Sequence, residues 1–315
     1  MKAGRAFELF VKHLLTSIGF SEVKSDGIYV FDGAPGKMIQ GLGEAHNADV
    51  LLEPPVQTPF FTRTRLLIEC KDYQSRVGLN TIRSALGLRE DINHFEMVDV
   101  NELLARRRQN RRGSINSVER YSYQVAVAAL KGFTLPAQKF AATHRIPLLE
   151  FDKLPFWGTF CEILDKHRFS VVGGLGMNHK DNEQISEEEL IRFADEVGCR
   201  MAVGVTNSGQ LLFLYHTTDG DMEFDNQYSL RWNDPKQPWK LESGTETYLF
   251  QLPKGIFKLW VENASDELEL KKGAIECKAN YFSNMVVYYS HYGMPTIKMI
   301  SIDRWELERA KEKLK

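Results

Sequence analysis

Apolar residues recur at helical spacing over residues 4–18, where Phe7, Phe10, Val11, Leu14, Leu15 and Ile18 share one face. Gly19 follows as a helix stop. The period then shortens. Residues 27–31 predict a short strand, and 34–47, carrying Gly36, Gly41 and Gly43, predict a loop. Residues 48–52 predict a strand that stops at Pro54-Pro55, and 65–71 a second, mostly apolar strand. A helix is predicted over 79–93, with Leu79, Ile82, Ala85 and Leu86 on one side. Residues 125–130 (VAVAAL) form the near-continuous apolar run of a strand covered on both faces. A short helix with Pro136 in its first turn spans 136–144, and a buried strand 146–151. The order α-β-β-β-α-β-α-β predicts an α/β fold whose mixed sheet is flanked by helices.

The second half reads differently. Residues 155–170 predict a helix at a domain boundary. Ser186 with Glu189 three positions on suggests a capping box opening a helix over 186–197. Residues 202–205 and 211–215 flank Asn207-Ser208-Gly209 as a hairpin. Residues 217–247 read as polar and irregular, Tyr288, Tyr289 and Tyr292 as packing on a helix, and 302–315 as a charged terminal helix. The chain of 315 residues thus divides into 1–155 and 156–315, the latter a second α+β domain.

Composition narrows the class. Hydrophobic residues are 43% and charged residues 26%, which excludes a disordered chain. Forty Lys and Arg against 42 Asp and Glu leave a net charge of −2, so any nucleic-acid contact must come from local clustering. No stretch approaches the ~20 apolar residues of a membrane helix, and the N-terminus lacks the h-region of a secretory signal. Cys70, Cys161, Cys199 and Cys277 are scattered without CxxC spacing, which points to a reducing, cytoplasmic setting.

Chemistry concentrates on Asp49, Glu69 and Lys71, with Glu8 on the first helix. Side chains alternate along a strand, so Glu69 and Lys71 project to one side and Cys70 to the other. If the strands around positions 49 and 69 pair, two carboxylates and an ammonium meet at one sheet edge. Adjacent carboxylates repel, and a divalent cation removes that cost. Oxygen ligands favour Mg²⁺ or Mn²⁺. Such an ion can neutralise charge on a phosphate oxygen, and Lys71 can orient water or stabilise the transition state. The same four letters recur at Ile275-Glu276-Cys277-Lys278, where no matching Asp-bearing strand precedes them; that copy is taken as coincidence or a decayed duplication.

In order, GRAFELFVKHLLTSIGF, GLGEAHNADVLL, LLIECKDY, VGLNTIRSALGL and AVAALKGFTLPAQKFAATHRIPLLEFD resemble the Mrr-like branch of the PD-(D/E)xK restriction-endonuclease superfamily. The likeness covers about residues 4–152. It implies a restriction-endonuclease-like fold and a Mg²⁺- or Mn²⁺-dependent DNA nuclease. Asp49 and Glu69 would then be metal ligands, Lys71 the catalytic lysine and Glu8 the first-helix acid aimed at the metal. The chain departs from the pattern in having Ala48 where Pro is usual, and Glu69 where many Mrr-like members carry Gln.

Other residues bear on a substrate. His46 is read either as a contact to phosphate or metal, or as loop packing. Asp72 and Gln74 fit a strand-end turn better than a contact. Arg106, Arg107, Arg108, Arg111 and Arg112 form the densest basic run and suit phosphate-backbone contact. The glycines at 173, 174 and 176 lack the third glycine of a dinucleotide fingerprint and read as a turn. The leading expectation is a DNA endonuclease in a restriction or defence setting, with DNA against RNA left open and a homodimer favoured if both strands are cut. Its rivals are a non-catalytic nucleic-acid-binding module and a ligand-gated effector nuclease.

Overall fold

The fold is taken from a computed structural model that describes residues 3–34, 36–57, 62–95, 105, 108, 121–172, 179–207, 209–231, 239–253, 255 and 265–313. It is a mixed α/β structure. Helix α1 (Ala3–Ser17) precedes a five-stranded sheet of order β1-β5-β6-β7-β8. The strands are β1 (Ser21–Glu22), β5 (Val50–Glu53), β6 (Arg63–Lys71), β7 (Tyr121–Ala129) and β8 (Leu148–Leu149). The β1/β5 and β5/β6 pairs are antiparallel; β6/β7 and β7/β8 are parallel. The predicted mixed direction is therefore present.

Strand parity decides what each face buries. Leu66, Ile68 and Cys70 of β6 and Ala126 and Ala128 of β7 join the core that holds Phe7, Phe10, Leu14 and Ile18 of α1. The alternate residues Leu67, Val125, Val127 and Ala129 join Ile82 and Ala85 of α2 (Leu79–His94) and Ala137 and Ala141 of α3 (Leu135–His144). A strand covered on both faces must be apolar at every position, as the VAVAAL run is. Buried Arg65, 4% exposed, is satisfied by Glu53 at 3.0 Å and the Tyr123 hydroxyl at 3.0 Å, and it stacks on Tyr121.

Residues 34–47, expected as a loop, instead contain two strands. β2 (Val30–Asp32), β3 (Lys37–Gln40) and β4 (Ala45–Asn47) form an antiparallel meander. Tight turns, closed by Gly33 N–H to Gly36 O and Gly41 N–H to Glu44 O, account for the glycines that look like loop composition.

The second half is built on a closed seven-stranded barrel, β10-β13-β12-β11-β15-β14-β9. Its strands are β9 (Met201–Thr206), β10 (Leu211–His216), β11 (Gln227–Arg231), β12 (Trp239–Ser243), β13 (Glu246–Phe250), β14 (Asn284–His291) and β15 (Met294–Ile302). The β9/β10 hairpin is as predicted. The supposedly irregular 217–247 holds β11, β12 and the start of β13. There Tyr228, Leu230, Trp239, Leu241, Tyr248 and Phe250 point inward between outward polar residues, so the average composition is polar although one face is not. Tyr288 and Tyr289 lie on strand β14, not on a helix, and Tyr292 lies in the turn after it with φ 48°.

Among the described residues four helices accompany the barrel. They are α4 (Trp157–Val172), α5 (His179–Gly198), α6 (Glu267–Tyr281) and α7 (Arg304–Glu312). Ser186 lies inside α5 and opens no helix, because the helix already starts at His179. The glycines at 173, 174 and 176 lie outside the described residues. No helix among the described residues is long and apolar enough to cross a membrane.

One hydrophobic core runs through the 155/156 boundary. The Phe10 ring lies 4.3 Å from Phe160 of α4 and 6.1 Å from Phe193 of α5. Phe151 meets Phe213 of β10 edge-on at 5.1 Å, and Phe20 meets Tyr288 at 5.7 Å. A polar tie lies alongside. The Gln251 amide, just after β13, donates to Asp152 and, at 3.4 Å, to Glu150, while its carbonyl accepts from Lys153 N–H at 3.0 Å. Burial and the neighbouring Asp152 push the Glu150 pKa up to about 7.

Phe10→Ala should cost about 3–5 kcal/mol in a urea-unfolding measurement, because the cavity opens between three helices at once. Glu150 prefers its protonated form in the fold, so its contribution is complete below its ordinary value of 4.5 and is lost as pH rises through about 7. Unfolding free energy should therefore fall over that interval, by at most about 3 kcal/mol from this group. Glu150→Gln should flatten the fall.

Candidate functional site

The nine-residue register between β6 and β7, from Arg63↔Tyr121 to Lys71↔Ala129, holds the end of β6 rigidly. Alternation then puts Glu69 and Lys71 on the α2 side with Leu67, while Cys70 faces α1. Asp49, immediately before β5, is fixed through its own side chain. Its Oδ2 accepts the Cys70 amide N–H at 2.9 Å, across the sheet from its own strand. The Lys71 ammonium donates to Glu69 Oε2 at 2.7 Å and stands 3.9 Å from Asp49 Oδ2. Both predicted carboxylates thus share one ammonium. Glu8 approaches from α1 and lines the same groove as Asp49.

The electrostatics show acids in excess. Burial, then the charge of Asp49, pushes the Glu8 pKa up to about 7; Glu69 adds to this, while Arg5 and Lys71 oppose it. Burial also raises Asp49, aided by Glu69 and opposed by the Cys70 hydrogen bond and Lys71. Burial works against the Lys71 ammonium, but its hydrogen bond to Glu69 and the charges of Glu69 and Asp49 outweigh it and hold its pKa above the ordinary value. Lys71 is therefore a cation at neutral pH and not a base. Burial puts the Cys70 thiol well above its usual range, so it serves as packing and not as a nucleophile.

Among the described residues no group of three or more His, Cys, Asp or Glu side chains is disposed around a common metal position. Mg²⁺ commonly takes only one or two protein carboxylates and completes its shell with water and phosphate oxygens. Asp49 and Glu69 match that donor set. Burial first, and neighbouring carboxylates second, raise the pKa of Glu8 and of Asp49, and a divalent cation held there would offset both effects.

A groove of about 790 Å³ opens beside Asp49, lined among others by Arg5, Glu8, Lys12, Glu22 and Lys37, with Lys12 paired to Glu22 and Lys37 to Asp32. Reasoning from sequence overlooked Arg5, Lys12 and Lys37, which are scattered over α1 and β3 and form no run. His46 lines a small open pocket together with Glu69 and is also engaged within the fold. Its Nε2 lies 2.6 Å from Asp91 Oδ2, and Asp91 Oδ1 also accepts Gly43 N–H at 2.9 Å. His46 thereby ties the β2–β4 meander to α2. Arg108 is helical and exposed; Arg106, Arg107, Arg111 and Arg112 lie outside the described residues.

No family model matches the chain, and no curated protein matches it. A solved structure described as a protein of unknown function, AF1548, is similar to 61% of this chain and 98% of its own, at 17% identity and a TM-score of 0.29.

If His46 and Asp91 act as one strut, His46→Ala and Asp91→Ala should each cost about 1–2 kcal/mol. The double variant should cost less than their sum by at least about 0.5 kcal/mol. A thermodynamic cycle from denaturant unfolding reads this directly.

Proposed function

We propose that the chain is a divalent-metal-dependent endonuclease that hydrolyses DNA phosphodiester bonds at Asp49, Glu69 and Lys71. The observation that carries this reading is the single ammonium of Lys71 standing within 3.9 Å of Asp49 and 2.7 Å of Glu69 at the end of a buried parallel strand. The element order α1, β5, β6, α2, β7, α3, β8 supports a restriction-endonuclease-like arrangement of the mixed sheet. The adjacent groove mixes both signs, with Lys12 paired to Glu22 at 3.1 Å and Lys37 to Asp32 at 2.9 Å, and Arg5 is its cation suited to a phosphate oxygen.

In this reading Asp49 and Glu69 hold the cation, which would supply Lewis-acid neutralisation of a phosphoryl oxygen. The Cys70 amide keeps Asp49 in place, so the acid does not have to be ordered on binding. Lys71, kept protonated, orients the attacking water and meets charge that accumulates as the P–O3′ bond breaks. Arg5, Lys12 and Lys37 position the strand. The product carries a 5′-phosphate. Cutting both strands calls for two such centres, and hence a dimer.

Plasmid DNA incubated with Mg²⁺ or Mn²⁺ should be cut, and EDTA should stop the reaction. Lys71→Ala and Asp49→Asn should each slow cutting by about a hundredfold or more while DNA binding persists. Cleavage untouched by Lys71→Ala would remove the lysine from the mechanism. DNA binding without cleavage under any divalent metal would make the chain a binding module.

A further inference from the structure

A second cavity lies at the other end of β6 from Lys71, between the mixed sheet and the barrel. Its volume is about 500 Å³, within the range of small-molecule sites. Val203 of β9, Leu211 of β10, Tyr288 of β14 and Phe20 supply apolar and aromatic walls. Arg89 of α2 and Arg145 after α3 supply the polar side. No carboxylate belongs to the described residues that line it, although the chain as a whole carries more acids than bases.

The two arginines differ. Arg89 is engaged by Glu90 at 3.1 Å and by the His144 carbonyl at 3.0 Å. Arg145 has no ion pair or hydrogen bond through its guanidinium to any described residue. It also caps α3 with φ 55°, in the left-handed region where glycine is the usual choice. A side chain kept there is strained where glycine would not be. The Tyr288 hydroxyl likewise has no partner among the described residues, while its ring packs against Phe20 at 5.7 Å. Burial holds that phenol above its ordinary pKa.

We infer that this cavity binds a planar aromatic anion of mononucleotide size, with its ring against Phe20 and Tyr288 and its anionic group on Arg145. A phosphate ester on a nucleobase and a carboxylate on a fused ring share this chemistry. The inference does not depend on the nuclease reading, since binding is measured without cleavage.

Isothermal titration and thermal shift on the full chain distinguish the cases. AMP, GMP, CMP and UMP represent the phosphate esters, 2-naphthoate the carboxylates; adenosine lacks the charge and inorganic phosphate lacks the ring. At least one of the charged aromatics should bind and raise the melting temperature, and adenosine and phosphate should bind at least about tenfold more weakly. Arg145→Gly removes the guanidinium at a backbone position that suits glycine. It should leave the ligand-free melting temperature unchanged or higher, yet weaken binding by about tenfold or more. Tyr288→Phe should keep the ring contribution and lose only the hydroxyl's, about threefold to tenfold. Binding by none of the charged aromatics, equal binding of adenosine or phosphate, or full affinity in Arg145→Gly would overturn the inference.

Discussion

Helix α1 has to bury an apolar face wider than one partner can cover, and the arrangement of the molecule follows from how it does so. Phe7, Phe10, Val11, Leu14, Leu15 and Ile18 are fully buried, packed on one side against β5, β6 and β7 and on another against α4 and α5. The helix is thus the shared wall of the sheet and of the helical layer that leads into the barrel. Its end is equally constrained. Gly19 has φ 108°, and a Cβ there would come within 2.8 Å of Pro295 on β15, so the barrel hairpin sits directly against the turn. The side of α1 left outside the core presents Glu8 to the groove. Core packing and the position of the Glu8 carboxylate are thereby set by one helix.

The acid cluster illustrates what such a scaffold can tolerate. Three carboxylates and one ammonium are gathered where burial disfavours net charge. The cost is contained by specific means: a backbone amide on Asp49, an ammonium on Glu69 and a raised affinity for a proton on Glu8. None of these is optimal for stability alone, since an apolar cluster of the same volume would avoid the conflict. The result is a half-buried cluster whose charge the protein's own groups compensate only in part.

The tetrapeptide Ile-Glu-Cys-Lys shows how far the sequence could be read. At 68–71 it ends a strand; at 275–278 it lies within α6. In both places the cysteine is buried and the neighbours are not chosen by the four letters. The first copy continues the apolar pair Leu66-Leu67 and lies between two partner strands. The second follows ELELKKGA, whose helix Asp266 caps through Glu269 N–H. Period-two and period-3.6 patterns over ten or more residues were legible for this reason, and with them the alternation that groups Glu69 with Lys71. Short strands closed by glycine turns, and barrel strands with a charged outer face, were not, because their composition averages to loop. The Asp91–His46 strut was out of reach too, as its partners are 45 positions apart and neither belongs to a pattern.

The barrel closes on itself, and its parallel seam between β11 and β15 involves only Gln227↔Ser301 and Tyr228↔Ile302. The open sheet ends at β1 and at β8, each two residues long. β8 meets β7 at Val127↔Leu148 and Ala128↔Leu149, and further along that edge the Asn93 side chain takes both backbone groups of Tyr123. An incoming strand would find that edge engaged by a side chain and a two-residue strand. Such side-chain cover blunts that edge against edge-to-edge pairing without lengthening the sheet.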